Sequence, residues 1–111
     1  MIKTLTIFTP AYNRAHLLPR LYNSLCEQTN HDFQWLIIDD GSVDTTKQIV
    51  EQFIKENKID ITYIYQENQG MHGAHNTAYK NIKTVLNTCI DSDDFMPNIA
   101  VALILNKWKT I

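Results

Sequence analysis

Three short runs hold most of the residues that could do chemistry. Asp91-Ser92-Asp93-Asp94 places three carboxylates within four positions. At neutral pH such carboxylates repel one another. Hydrogen bonding as a helix cap, protonation or a cation would relieve them. A donor set made only of oxygens suits Mg2+ or Mn2+, which keep waters and share phosphate oxygens with a substrate. The competing structural role is that Ser92 and Asp93 cap a helix starting near Pro97. The second run is Asp39-Asp40-Gly41-Ser42-Val43-Asp44. Its carboxylates can accept from a base N–H or a ribose hydroxyl, and Gly41 allows a close backbone approach. Asp and Ser are also common helix starters. Asp44 is expected in the first turn of a helix, where the dipole favours it. In the third run, Thr9-Pro10-Ala11-Tyr12-Asn13-Arg14, Tyr12 could stack on a base and Arg14 could meet a phosphate. That run alone has the composition of an ordinary loop. His72 and His75 flank Gly73 with no cysteine nearby, so contact with phosphate or sugar is favoured over a zinc site.

These runs need elements to position them. Thr4–Thr9, Phe33–Ile38, Ile61–Tyr65 and Val85–Ile90 read as strands from their apolar, β-branched content and their stop signals. Apolar residues at helical spacing mark helices over His16 to Gln28, Thr45 to Asn57, Gly73 to Ile82 and Pro97 to Trp108. Pro19 fits the first turn of the first helix. The order β-α-β-α-β-α-β-α predicts an α/β fold with a mostly parallel sheet covered by helices on both faces. Crossovers are expected to be right-handed. All three glycines, Gly41, Gly70 and Gly73, are expected in loops after strands. Seven acidic residues fall there too: Asp39, Asp40, Asp44, Glu67, Asp91, Asp93 and Asp94. In an open parallel sheet these loops share the rim where ligands bind.

Composition narrows the class. With 111 residues, 44% of them hydrophobic and 20% charged, the chain fits one globular domain. A net charge of −2 leaves no basic footprint for nucleic acid. Cys26 and Cys89 lack metal-ligand spacing and are expected to be buried free thiols in a reducing compartment. No apolar stretch approaches the roughly 20 residues of a membrane span, and no secretory leader is visible. A cytoplasmic location follows as the expectation, with membrane association left to parts outside this chain. The first strand is not followed by GxGxxG or a P-loop, which argues against a dinucleotide-binding domain or a P-loop NTPase. A phosphoacceptor receiver domain would need its acidic pair after the first strand. Here the pair follows the second.

Taken in order, the motifs resemble family 2 glycosyltransferases of the GT-A fold. The matching pieces are Thr9 to Arg14, Ser24-Leu25 with Gln28-Thr29, Asp39 to Asp44, Glu67-Asn68-Gln69-Gly70, Ala74-His75-Asn76 and Ile90 to Asp94. The resemblance implies a nucleotide-sugar donor, most simply a UDP-sugar, bound with Mn2+ or Mg2+. Asp40 would bind the base, with Tyr12 and the backbone near Pro10 and Ala11 completing its pocket. Asp39 would support the same loop. Asp91 would approach the ribose or donor sugar. Asp93 would ligate the metal, with Asp91 beside it as a second ligand and Asp94 as a neighbour. Arg14, Asn68, Gly70, His75 and Ser92 complete the implied nucleotide-contacting set. The family often carries Arg where His75 stands, so a phosphate contact there would depend on pH. The acceptor would be a polysaccharide, lipid or protein, and transfer would proceed with inversion. The family's catalytic base lies well downstream of the acidic run, which puts it beyond Ile111. The chain is therefore expected to be a truncated N-terminal donor-binding domain, inactive in transfer by itself and able to self-associate. The rival from another class is a non-catalytic nucleotide-binding or interaction module with the same fold.

Overall fold

The computed structural model describes residues 2–110. Ile111, beyond which the resemblance places the catalytic base, lies outside the described residues. Four strands alternate with four helices: β1 Leu5–Ala11, α1 Leu18–Cys26, β2 Phe33–Asp39, α2 Thr46–Glu56, β3 Asp60–Tyr65, α3 Gly70–Asn81, β4 Leu86–Cys89 and α4 Ala100–Lys109. The strands form one sheet in the order β3-β2-β1-β4, and every pairing is parallel. The expected α/β architecture is therefore the observed one.

Side-chain alternation along the strands divides the core into two layers. Leu5 and Ile7 of β1, with Phe33, Trp35 and Ile37 of β2, face Leu18, Leu21 and Leu25 of α1, Val50 and Phe53 of α2, and Val101 and Leu105 of α4. The intervening Phe8, Leu36 and Ile38 face Ala74 and Ala78 of α3. Three helices thus cover one face and one covers the other. The chain moves outward from β1 to β2 to β3, then doubles back across β1 to β4. With right-handed crossovers, that reversal puts α3 opposite α1 and α2. In the larger layer the Tyr22 and Phe53 rings stack with centroids 3.9 Å apart. The buried Trp35 indole donates to Thr9 Oγ1 at 2.9 Å, which satisfies its one polar atom.

Several boundaries differ from the sequence reading. β1 continues through Pro10 to Ala11 instead of ending before the proline. α3 begins at Gly70, so Gly70 and Gly73 lie in a helix and not in a loop. Cys89 is exposed, not buried, and Cys26 is half-buried. Cys89 pairs with Phe8 and so faces the α3 side, but β4 is the edge strand and α3 leaves it uncovered.

Candidate functional site

The reversal of strand order opens a cleft. β1 pairs with β4 only from Leu5 to Phe8, opposite Leu86 to Cys89. The last bond of this ladder runs from the Ile90 N–H to the Phe8 carbonyl at 3.0 Å. β1 then continues against β2 alone, as far as Ala11 opposite Asp39. The Ala11 carbonyl accepts from the Asp40 N–H on the β2 side at 2.8 Å. By alternation Pro10 faces the other side, where β4 has already left. Its missing N–H therefore costs no ladder bond, which explains a proline inside this strand. The gap between the two diverging strand ends is a cleft of about 260 Å³. Pro10, Ala11, Tyr12 and Arg14 line one side and Asp91, Ser92 and Asp93 the other. Asp40 and the first turns of α3, through Met71 and Ala74, close it. This is the topological switch point, where open parallel sheets bind ligands.

Strand alternation separates the two adjacent carboxylates at the end of β2. Asp39 is fully buried on the α2 face, and its Oδ1 accepts from the Ser42 N–H at 2.9 Å. Its Oδ2 accepts from the Tyr63 hydroxyl at 2.5 Å. Burial pushes the Tyr63 phenol up from its ordinary value, and the hydrogen bond to Asp39 adds to the effect. Asp40 turns toward α3 and the cleft. It accepts from Gln66 Nε2 and from the Gln69 and Gly70 N–H groups, at 2.9, 2.8 and 2.9 Å. The donors at the start of α3 are thus spent on Asp40, and the helix dipole favours a carboxylate there.

The loops after β1 and β2 are fastened to each other. The Asn13 N–H donates to Ser42 Oγ, and the Val43 N–H donates back to Asn13 Oδ1, both at 2.8 Å. Asp44 accepts from the Ala15 N–H at 3.2 Å and from both the N–H and hydroxyl of Thr46. Asp44 therefore bridges the two loops from a position before the Thr45 N-cap of α2, and not from the helix's first turn as expected. Partial burial works to raise its carboxyl. The Thr46 hydroxyl and the backbone N–H groups of Thr46 and Ala15 outweigh that and hold it below the usual carboxylate range.

The acidic run lies on the opposite bank. Carboxylate oxygens of Asp91, Asp93 and Asp94 come within 4.8 Å of one another, all three side chains exposed. Among the described residues the one ion pair is Lys58 with Glu56, so no lysine or arginine neutralises this cluster. Its close oxygen-only geometry fits a hard divalent cation. The capping alternative is not realised. α4 starts at Ala100 with no side-chain cap from its own N-cap residue. The cap comes from Gln28 instead, whose Oε1 accepts from the Val101 N–H at 3.0 Å. Gln28 Nε2 also donates to the Pro97 carbonyl at 2.8 Å, and Ser24 Oγ accepts from the Met96 N–H at 3.1 Å. The Ser24 and Gln28 positions singled out in the sequence thus clamp the segment that follows the acidic run.

Of the residues expected to contact nucleotide or metal, Pro10, Ala11, Tyr12, Arg14, Asp40, Asp91, Ser92 and Asp93 line the cleft. Asp39, Asn68, Gly70 and His75 do not. Asp39 is buried on the other face of β2, and Gly70 acts through its N–H to Asp40. Asn68 sits against Gly41, where an added Cβ would come within 2.9 Å of the Asn68 nitrogen. His75 packs edge-on against Phe8, its Nδ1 3.0 Å from the Met71 carbonyl and its Nε2 3.9 Å from Cys89 Sγ. The catalytic base expected downstream of Ile111 falls outside the described residues. Met71, Gln66, Tyr63 and Thr77 are not singled out by the sequence reading. Met71, Ala74 and Ala78 do form a helical stripe, which is the one signal that could have found Met71.

The comparisons with known proteins agree with this geometry. The family model for glycosyl transferase family 2 matches residues 6–110. A chondroitin synthase of Escherichia coli is 33% identical over 108 residues, covering 97% of this chain and 16% of that protein. A teichoic acid poly(glycerol phosphate) polymerase of Staphylococcus epidermidis is 30% identical over 106 residues, covering 95% of this chain and 15% of that protein. This chain therefore spans only a small part of the curated relatives it matches. Among solved structures, residues 1–349 of S. aureus TarS in complex with UDP superpose with a TM-score of 0.89 at 26% identity, over 96% of this chain and 32% of that one. No described helix is long and apolar enough to cross a membrane. With the fold, the motif order and the family model in agreement over nearly the whole chain, this protein belongs to glycosyl transferase family 2.

Proposed function

We propose that this chain is the donor-binding domain of a glycosyltransferase and holds a nucleoside diphosphate sugar, a UDP-sugar, together with Mn2+ or Mg2+. One observation carries the reading: a single cleft gathers the Asp40 carboxylate, Tyr12, Arg14 and the acidic run at Asp91 and Asp93. Asp40 accepts from the base, Tyr12 covers the ring, and the backbone of Pro10 and Ala11 forms the floor. Arg14, whose Nη1 also donates to the Tyr12 carbonyl at 3.2 Å, supplies positive charge for a phosphate. Asp93 and Asp91 hold the metal, with Asp94 beside them. A bound divalent cation would stabilise the negative charge that grows on the leaving nucleoside diphosphate. That TarS, 26% identical, was solved with UDP supports the choice of base. The acceptor is a polysaccharide, lipid or protein, and transfer to it inverts the anomeric carbon.

Calorimetric titration of UDP with and without Mn2+, on wild type and Asp93→Ala, tests the reading. Wild type should bind in a Mn2+-dependent manner, and Asp93→Ala should lose at least roughly tenfold of that affinity, as metal sites do when their ligation is disturbed. Absence of metal-dependent UDP binding by wild type would overturn the reading in favour of a non-catalytic module.

A further inference from the structure

We infer that Gln66 and Thr77, neither of which lines the cleft, are positioning residues that fix the base-reading carboxylate of Asp40. The inference rests on the donor-binding reading above and deepens it. A carboxylate oxygen offers two acceptor sites. Asp40 Oδ1 fills both, one with Gln66 Nε2 at 2.9 Å and one with the Gln69 N–H at 2.8 Å. Oδ2 fills one, with the Gly70 N–H at 2.9 Å. One acceptor site is left on a side chain that lines the cleft. That site suits a base edge carrying an N–H, such as uracil N3–H.

The geometry holds only while Gln66 presents its amino group to Asp40. An ionised carboxylate can only accept, so the reverse amide orientation would set oxygen against oxygen. The Asp40 carboxylate selects the first orientation, and Thr77 holds the far end of the amide in it. Its Oγ1 donates to Gln66 Oε1 at 2.5 Å, which pins the oxygen away from Asp40. The Gly73 carbonyl, 3.0 Å from the same hydroxyl, is the longer alternative acceptor. A relay thus runs from α3 through the residue after β3 to the carboxylate after β2. Removing the Thr77 hydroxyl takes away the anchor at the amide's far end, so Gln66 can swing off Asp40 and leave the carboxylate held only by the Gln69 and Gly70 N–H groups.

Uracil and cytosine distinguish this relay from a merely structural role. Uracil carries a hydrogen at N3; cytosine has a lone pair there and would oppose the carboxylate. Loss of the relay should therefore erode the preference for UDP over CDP, whereas general loosening would weaken both nucleotides alike. The experiment is calorimetric titration of the 111-residue chain with UDP and with CDP in the presence of Mn2+. It uses wild type, Thr77→Val, Thr77→Ser and Gln66→Leu, with thermal melts to confirm folding. The UDP-to-CDP affinity ratio should fall roughly tenfold in Thr77→Val and Gln66→Leu, the order expected when a buried hydrogen bond to a charged group is lost. Thr77→Ser keeps the hydroxyl and should keep the ratio. Gln66→Leu acts without touching Thr77, so it decides the matter if the valine variant does not fold. If wild type prefers UDP and the ratio is unchanged in both variants, or the two nucleotides weaken equally, the relay falls while the donor-binding reading stands. If wild type binds no UDP, that reading falls and the relay with it.

Discussion

Asp39 and Asp40 are chemically identical neighbours with different tasks. A strand turns successive side chains to opposite faces, so Asp39 enters the α2 layer and Asp40 the cleft. Asp39 has no exposed surface, and both its oxygens accept from protein groups. Tyr63→Phe tests its structural role. The substitution leaves one buried carboxylate oxygen without its hydroxyl donor, which should cost roughly 1–3 kcal/mol of stability. Urea denaturation should report that loss, while UDP affinity stays within about twofold of wild type because Tyr63 does not line the cleft. A large drop in UDP affinity at unchanged stability would place Tyr63 in the site instead.

At the level of elements, the site depends on the join between the end of β2 and the start of α3. Gly41 has φ +87° and sits against the Asn68 backbone. Both features exclude a side chain. Gly41→Ala should destabilise the protein by about 1–3 kcal/mol through backbone strain and the close contact. The displaced Asn68 adjoins the Gln69 N–H that holds Asp40, so UDP binding should weaken together with the melting temperature. A variant that melts like wild type would show that the loop has room to yield. The second important join is Gln28, which caps α4 from just past the end of α1 and holds the Met96–Pro97 segment that follows the acidic run.

For the whole molecule, pH should act through carboxylates that stitch distant segments. Asp44 bridges the loops after β1 and β2. Asp32 accepts from the Thr4 hydroxyl and N–H, tying the chain before β1 to the entry of β2. The Thr4 hydroxyl is the main cause holding Asp32 below its ordinary value, against a partial burial that raises it. For both groups the folded value lies below the unfolded one, near 4 for aspartate. Their contribution is therefore complete above about pH 4 and is lost as pH falls through the folded values. Thermal melts between about pH 7 and 3 should stay level down to about pH 4 and then decline, with a shallower decline in Asp44→Asn. A melting temperature independent of pH over that range would contradict this account.

Local features made much of this protein legible in its sequence. Apolar spacing of two or of 3.6 residues marks strands and helices because it depends only on near neighbours. The element order and the parallel sheet followed, and so did the collection of Asp40, Tyr12, Arg14 and Asp91–Asp93 on one rim. What tertiary structure alone decided rests on partners far apart in the chain. The side of Pro10 left without a ladder partner depends on where β4 departs. Whether Ser92 or Asp93 caps α4 was settled by Gln28, 73 residues from Val101. The division of labour between Asp39 and Asp40 needed Tyr63 on a neighbouring strand and Gln66 and Gly70 beyond it. Cys89 is exposed because its strand is an edge, which no local pattern records. Sheet order brings these groups together, and residue spacing alone does not encode it.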